Sequence, residues 1–399
     1  MRSVLLCRNS LLSILVAFFL LSLPGFAGAR VFQVNDTDTL TSALLRCHPG
    51  DEIRLDPATY QTVEITTAPL SLTGERGVII EGKPGHQGDP NDNARPAVII
   101  SRKKGVSLQS LEMIGGTDWY LYPSFPPKYV HAMEITSSTV SLIDCRFPDR
   151  GIQSRIIARD SELFMESCAS TNTSCGVDAI NSRLELIDCR FAGCQGKSGY
   201  IDFMGYTHKG TEGGTGVSLQ GGTAVLVDCD FKGGEGGDGI NSSPSTFYNG
   251  SGGYGGGSGL IFQGPGRGIM IRCRSNGGAG GKGGSTGQFF WNLGGGGGGH
   301  GLFLDGASVT CDSCEMKGGE GGPPGDVYSN QAPPGDPGSP VYNQGKYFPR
   351  LPAKEEQIGI LLERDPNPFG DPLWPDLNFD NRNDVSDFLF RMEYLEKYL

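Results

Sequence analysis

The feature that most limits what this chain can fold into is a repeat. STVSLIDCRF, ending at Phe147, returns as SRLELIDCRF, ending at Phe191, and as TAVLVDCDFKGGEGG, ending at Gly237. GIMIRCRSNGGAGGKGG then ends at Gly284 and SVTCDSCEMKGGEGG at Gly322, with a weaker copy, SELFMESCAS, between the first two. Each is preceded by a short apolar stretch that opens on a small residue: AMEI at Ala132, GVDAI at Gly176, GVSL at Gly216, GLIF at Gly259 and GLFL at Gly301. The alternation has a period of two, which marks strands. Two short strands and a loop of variable length per unit, with no helix between units, predict a coil of parallel strands. One such unit cannot bury its apolar face alone, so the units stack into a solenoid.

The repeat places Cys145, Cys168, Cys189, Cys229, Cys273 and Cys314 at one point of successive coils, where the earlier unit GVSLQSLEMIGG has Leu111. A leucine in that slot points to a buried apolar position, which small thiols fill well. Disulfides between adjacent rungs are the rival reading. Cys47, Cys175, Cys194 and Cys311 lie off the ladder and are the better disulfide candidates. Asp144, Asp188 and Asp228 each precede a ladder cysteine, which suits an exposed row at a coil edge or a turn that they bond.

TLTSALLRCHPGDEIRLDPATYQTVEITTAPLSLTGERGVIIEG, residues 39–82, resembles the opening of right-handed β-helix proteins of the pectate-lyase-like class. That resemblance implies an amphipathic helix capping the solenoid, with Leu40, Ala43 and Leu44 on the first coil and Pro49, Gly50 and Asp51 in the turn that follows. The expected fold is therefore all-β: a right-handed parallel β-helix of roughly nine or ten coils over residues 30–320, with an N-terminal capping helix and a short C-terminal loop-helix module.

Residues 1–29 read as an export signal. Arg2 and Arg8 precede the apolar run from Leu11 to Leu23, and Ala27-Gly28-Ala29 offers a cleavage site. A secreted or cell-surface location follows, with no membrane span expected in the mature chain. A net charge of -11 argues against nucleic acid as a partner.

Residues 321–375 are rich in Pro, Gly and Asn and read as a linker, with a short apolar strand at Ile358 to Leu362. Residues 376–399 differ. Asp376, Asn378, Asp380, Arg382, Asp384 and Asp387 stand at positions 1, 3, 5, 7, 9 and 12 of a calcium loop, counting the backbone carbonyl at Arg382. The helix after it carries Phe388, Leu389, Met392, Leu395 and Tyr398 as an apolar stripe. This resembles one half of a bacterial dockerin, which implies calcium as cofactor and a cohesin-like protein partner. Asn381 stands where such loops have glycine, and the second copy of the loop is missing. The plainer alternative is an Asp/Asn-rich lead-in to a capped helix.

Three glycine-rich insertions leave one corner of successive coils: Gly233 to Gly257, Gly277 to Gly299 and Gly318 to Gly345. They and an earlier insertion carry aromatic residues. Trp119, Tyr120, Tyr122, Tyr248, Tyr254, Phe289 and Trp291 are the candidate sugar-stacking set, against the alternative that they fold back to anchor the loops. Glu212, Glu235, Asp238 and Glu320 are the nearest acids. Gly299-His300-Gly301 resembles the GHG of polygalacturonase-type hydrolases, but the partner acids and the Arg-x-Lys of that family are missing. His300 is therefore not expected to be catalytic. The functional expectation is binding, or degradation by a lyase or glycoside hydrolase, of extracellular polysaccharide. The alternative is a non-catalytic structural or adhesive surface protein, which the lack of a catalytic set slightly favours.

Overall fold

The computed structural model describes residues 29–85, 94–118, 128–129, 131–148, 155–173, 175–201, 207–240, 252–284, 293–325, 332–351, 353, 356–357, 376–380, 382 and 385–397. The export segment, apart from Ala29, and the strand expected at Ile358 to Leu362 lie outside the described residues. Among the described residues no helix is long and apolar enough to cross a membrane.

The chain forms a right-handed parallel β-helix. Each coil has three faces, one more than the two strands per unit expected. Met133–Thr136, Thr139–Ile143 and Arg146–Phe147 form one coil, and Ile156–Arg159, Glu162–Glu166 and Ala169–Thr173 the next, paired with it in parallel. The extra strand is the stretch that begins at the ladder cysteine. What hides it in the sequence is a single residue with positive φ. Asp144, Ser167, Asp188, Asp228, Arg272 and Ser313 stand directly before the ladder cysteines, all with φ between 50° and 54°. One left-handed residue turns the chain sharply, so two strands read as one run. Asp144, Asp188 and Asp228 are thus corner residues, as the turn reading expects. A second column of such residues divides the first face from the second. It runs Arg102, Ser137, Asp160 and Asn181, then Gly221, Gly264 and Gly306.

The first and second faces belong to one 16-stranded sheet, and later coils run through their shared corner as single strands, such as Cys175–Ile187 and Thr215–Val227. The third face is a 9-stranded sheet, matching the expected nine or ten coils. Inward positions stack in register: Val140 on Leu163 on Leu184, and Phe191 on Phe231. Tyr60, Phe147, Phe191, Phe231 and Phe262 are the largest fully buried side chains. The helix Thr37–Arg46, capped by Asp36, covers the open end with Leu40, Ala43 and Leu44, as expected. In the turn behind it the Asp51 carboxylate accepts the His48 and Arg30 N–H groups, which hold its carboxyl down to about 2.

The ladder cysteines are buried or half-buried thiols, and neither they nor Cys47, Cys194 and Cys311 are in a disulfide, which corrects the disulfide expectation for these three; the Cys175 side chain lies outside the described residues. Each ladder thiol lies between two carbonyls. Cys229 Sγ is 3.2 Å from Val227 O and 3.3 Å from Leu186 O on the preceding coil. Burial pushes the Cys229 and Cys273 thiols up, away from the reactive thiolate. A shorter ladder of serines seals the corner between the first two faces. Ser161 Oγ donates to Arg159 O at 2.6 Å and accepts the Ser138 N–H at 3.1 Å, and Ser182 Oγ serves Ser161 in the same way.

The glycine insertions do leave one corner, between the third and first faces, but they are not loose loops. Outgoing segments (193–199, 233–239, 277–284, 318–325) lie side by side in one layer, and returning segments (209–214, 252–257, 293–299, 332–340) in a second. Hydrogen bonding repeats every three residues. Gly233, Gly236 and Gly239 donate within the layer to Asn276, Ala279 and Lys282, each at 2.8 Å. Gly234 and Gly237 donate across it, to Gly214 and Thr211. A period of three with no bonds inside a segment is the geometry of polyproline-II-type helices, here made of glycine. The spacing requires it: a Cβ on Gly233 would lie 1.8 Å from Gly257 O, and one on Gly278 1.9 Å from Gly234 O. Every third residue faces out and is free to be Glu235, Asp238, Lys282 or Glu320.

In the last returning segment the residues placed to donate onward within the layer are Pro334, Pro337 and Pro340, which have no N–H. The edge of the returning layer therefore offers no donor to a further strand. Strand Val341–Phe348 then adds a final rung against Leu302–Asp312. Residues 332–348 thus belong to the slab and the solenoid, not to a linker.

Two outcomes test this packing. Ser161→Ala leaves the buried Ser138 N–H without an acceptor and should cost about 1–3 kcal/mol in denaturant melts. Gly278→Ala should open the slab, seen as new protease cleavage between residues 233 and 340, whereas Glu235→Ala should leave the cleavage pattern unchanged.

Candidate functional site

Alternation on the second face turns two rows of side chains to solvent. Ser107, Ser141, Phe164 and Glu185 are in register on successive coils. Beside them run Lys104, Thr139, Glu162 and Arg183. Between the rows lies a groove of about 410 Å³, lined by Ser107, Ser141, Glu162, Phe164, Arg183 and Glu185 among others. Thr139 Oγ1 donates to Glu162 Oε2 at 3.1 Å. Glu162 and Glu185 are diagonal neighbours on adjacent rungs, which sets their Cα atoms roughly 7–8 Å apart. The groove thus offers one aromatic face, hydroxyls, two carboxylates and a guanidinium on a rigid floor.

The C-terminal segment limits this groove. Val225, Val227, Ile269 and Ile271 face outward on the later coils of the second face and would expose an apolar strip there. Leu351, Leu377 and Leu395 cover them, with Phe379, Phe390 and Tyr394 packed alongside. The helix Val385–Glu393 and the turn that follows it therefore dock through Phe390, Tyr394 and Leu395; of the stripe expected, Leu395 is fully buried against this strip. Leu389 and Met392 are 49% and 42% exposed. Tyr398 lies outside the described residues.

Most of the expected calcium ligands have work inside this docked segment. Asp376 forms an ion pair with Arg267 on the second face and accepts the Asp380 N–H at 3.1 Å. Asp387 is fully buried and accepts the N–H groups of Leu377 and Asn378 at 2.7 and 3.2 Å. Asp380 accepts the Arg382 N–H at 2.9 Å. Asp384 lies outside the described residues. The donors are the hard oxygens calcium takes. Among the described residues, however, no three Asp, Glu, His or Cys side chains converge as a metal set.

Of the candidate sugar-stacking residues, Trp119, Tyr120, Tyr122, Tyr248, Phe289 and Trp291 lie outside the described residues. Tyr254 is built into the slab. Its N–H donates to Gly237 O, its carbonyl accepts the Gly281 N–H, and its ring lies across Gly210, where a Cβ would be 2.4 Å from it. The four acids do not share a groove. Glu235, Asp238 and Glu320 face out from the outgoing layer and Glu212 from the returning one, and Asp238 accepts the Lys282 N–H at 2.9 Å. His300 is half-buried. Burial lowers its pKa, so the neutral ring accepts the Ser339 N–H at 3.0 Å. It stacks on Tyr342 at 4.7 Å and on Phe303 at 5.8 Å, and Phe303 and Tyr342 lie 5.1 Å apart and nearly parallel.

Sequence reasoning missed Phe164, Glu162, Arg183 and Glu185. The signal was available: Glu162 and Phe164 sit at outward positions of SELFMESCAS, and Arg183 and Glu185 at the matching ones of SRLELIDCRF.

No known family's sequence model matches the chain, and no curated protein does. Among solved structures it is similar to the polygalacturonase of Erwinia carotovora ssp. carotovora, at 11% identity and a TM-score of 0.38 over 74% of this chain and 95% of that one. It is also similar to an alginate lyase from Paenibacillus sp., at 10% identity and a TM-score of 0.29 over 80% of this chain and 99% of that one. A family 28 exopolygalacturonase of Yersinia enterocolitica matches at 9% identity and a TM-score of 0.33, over 81% and 79%. At these values no function transfers, and the fold rests on the strand pairing of this chain.

Proposed function

We propose that this protein is exported and binds extracellular polysaccharide along the groove on its second face. The observation that carries the reading is Phe164, an aromatic side chain set among Ser107, Ser141, Arg183 and Glu185 on a floor of stacked strands. Sugar rings stack on such a face while their hydroxyls bond the polar rim. Because the rungs repeat along the axis, an extended polymer meets similar spacing at each step. Cleavage is the second reading, favoured by one feature. Glu162 and Glu185 set two carboxylates on adjacent rungs of one groove, and a pair of carboxylates is what glycosidases use.

Binding is tested on immobilised acidic and neutral polysaccharides. Phe164→Ala should weaken retention by roughly five- to tenfold, the worth of one ring contact. Retention unchanged by this variant would remove the groove from the account. Release of reducing ends, lost in Glu162→Gln and Glu185→Gln, would make the groove a hydrolytic site. Growth of the ultraviolet band of an unsaturated product would make it a lyase.

Calcium at the loop 376–387 is a separate part of the proposal, supported by four acids and an amide oxygen on one turn. Added calcium should raise the melting temperature and slow proteolysis after Phe348, and a chelator should reverse both. Asp380→Ala should show neither response.

A further inference from the structure

The inner wall of the solenoid changes composition at its last coil. Three inward positions recur from coil to coil: one on the second face, one at the ladder and one on the third face. They hold Leu186, Cys189 and Phe191 on one coil and Leu226, Cys229 and Phe231 on the next. Met270, Cys273 and Ser275 follow in register, and the last coil has Cys311, Cys314 and Met316. Sulfur thus takes all three positions there. On the second face every earlier residue of the column, from Leu72 to Met270, is leucine or methionine. A column chosen for packing alone keeps its volume. Cys311 breaks that rule, and it does so beside a ladder thiol. Neither Cys311 nor Cys314 is in a disulfide.

The sulfurs meet. Cys311 Sγ stands 3.8 Å from Met270 Sδ, and its thiol is hydrogen-bonded with that of Cys314. Cys314 Sγ lies 3.4 Å from Met270 O and 3.4 Å from Asp312 O, which hold it over the same methionine. Two sulfurs bound to one ion at about 2.3 Å, with trigonal or tetrahedral angles, are about 3.8–4.0 Å apart. Cys311 and Met270 already have that spacing. The C-x-x-C sequence puts one thiol on each side of the corner at Ser313, so both point into the same coil. Met270 and Cys311 are fully buried, whereas Cys314 and Met316 are half-buried, so the sulfurs lead from the core to the surface.

We infer that Cys311, Cys314 and Met270 form a binding site for a soft metal ion, Cu(I). The donor types decide the ion. Two thiolates and a thioether select Cu(I). Zinc takes four donors from cysteine, histidine and carboxylate, and among the described residues no three such side chains converge. Calcium takes oxygen. The copper keeps its oxidation state on binding. It bonds the two cysteine sulfurs as thiolates, and their two protons go to solvent. The site shares no residue with the second-face groove or with the loop 376–387, so it stands whether or not those readings do.

The test titrates the purified protein under nitrogen with Cu(I), supplied as its acetonitrile complex, against bathocuproine disulfonate as competitor. X-ray absorption reads the ligand atoms. The parent should hold about one Cu(I) per chain in a shell of sulfur at about 2.3 Å. Cys311→Leu restores the residue type of the earlier coils, so it should melt like the parent and yet lose the ion to the competitor. Cys314→Ser should lose it as well, and serves alone if Cys311→Leu does not fold. Cys145→Leu, which copies Leu111 in the same slot of an earlier coil, should keep the ion. A parent that yields all its Cu(I) to the competitor overturns the inference. So does retention of the ion by both Cys311→Leu and Cys314→Ser, or its loss in a folded Cys145→Leu. Oxygen or nitrogen in the ligand shell overturns the donor set, and a Cys311–Cys314 disulfide in the protein as purified overturns the site. Zn(II) displacing Cu(I) in direct competition overturns the choice of ion.

Discussion

Backbone amides bonded from one coil to the next hold this molecule together, and nearly every sequence peculiarity serves to let backbones come that close. In the solenoid the approach is between strands, and the side chains are stacked like on like, Val140 on Leu163 or Phe191 on Phe231. In the slab it is between glycine helices, where even a methyl group would overlap a carbonyl. Both lattices use a similar lateral repeat, so each coil can pass from one to the other and back without losing register with its neighbours. The corner residues make this workable. A left-handed residue at each turn keeps the rungs superimposed, and the serine and cysteine ladders fill the space behind the turns with groups that bond backbone.

Much of this was legible from the sequence. Period-two alternation, the cysteine register and the variable insertions together admit little besides a parallel solenoid, and the amphipathic lead-in marks its capped end. The third face was not legible, because Asp144 or Asp188 turns the chain with one residue and leaves no break in the apolar pattern. The slab was written openly as Gly-Gly-x, but a period of three carries no apolar signal. Only the contacts between distant copies show that such glycines are packed and not loose. The stripe on the last helix misled for a related reason. Periodicity shows that a helix has an apolar side, while the partner surface, here Val225, Val227, Ile269 and Ile271, decides which residues are buried.

For the candidate site the lesson runs through placement. Acids near glycine-rich insertions suggested a shared cleft, and the two-layer arrangement sends Glu212 and Glu235 to opposite faces. The groove on the second face was hidden among repeats because each of its residues looks like an ordinary outward position. Phe164 is distinctive only once its neighbours on the same row prove to be Ser141 and Glu185. The C-terminal segment acts on this face as well. By covering the later coils it leaves the earlier ones as open floor, so the length of any ligand lying there is set by where the tail begins.

The prolines of the last glycine segment bear on how such a molecule could change over generations. Pro334, Pro337 and Pro340 close the returning layer of the array at its last segment, and the final rung of the solenoid follows directly. A coil with its outgoing and returning glycine segments is a self-contained insert whose two sides match. Duplicating the stretch between two ladder cysteines would lengthen both the rod and the slab while exposing no new edge. The chain could thus grow from its middle, gaining surface by whole units, while its sealed end is inherited unchanged.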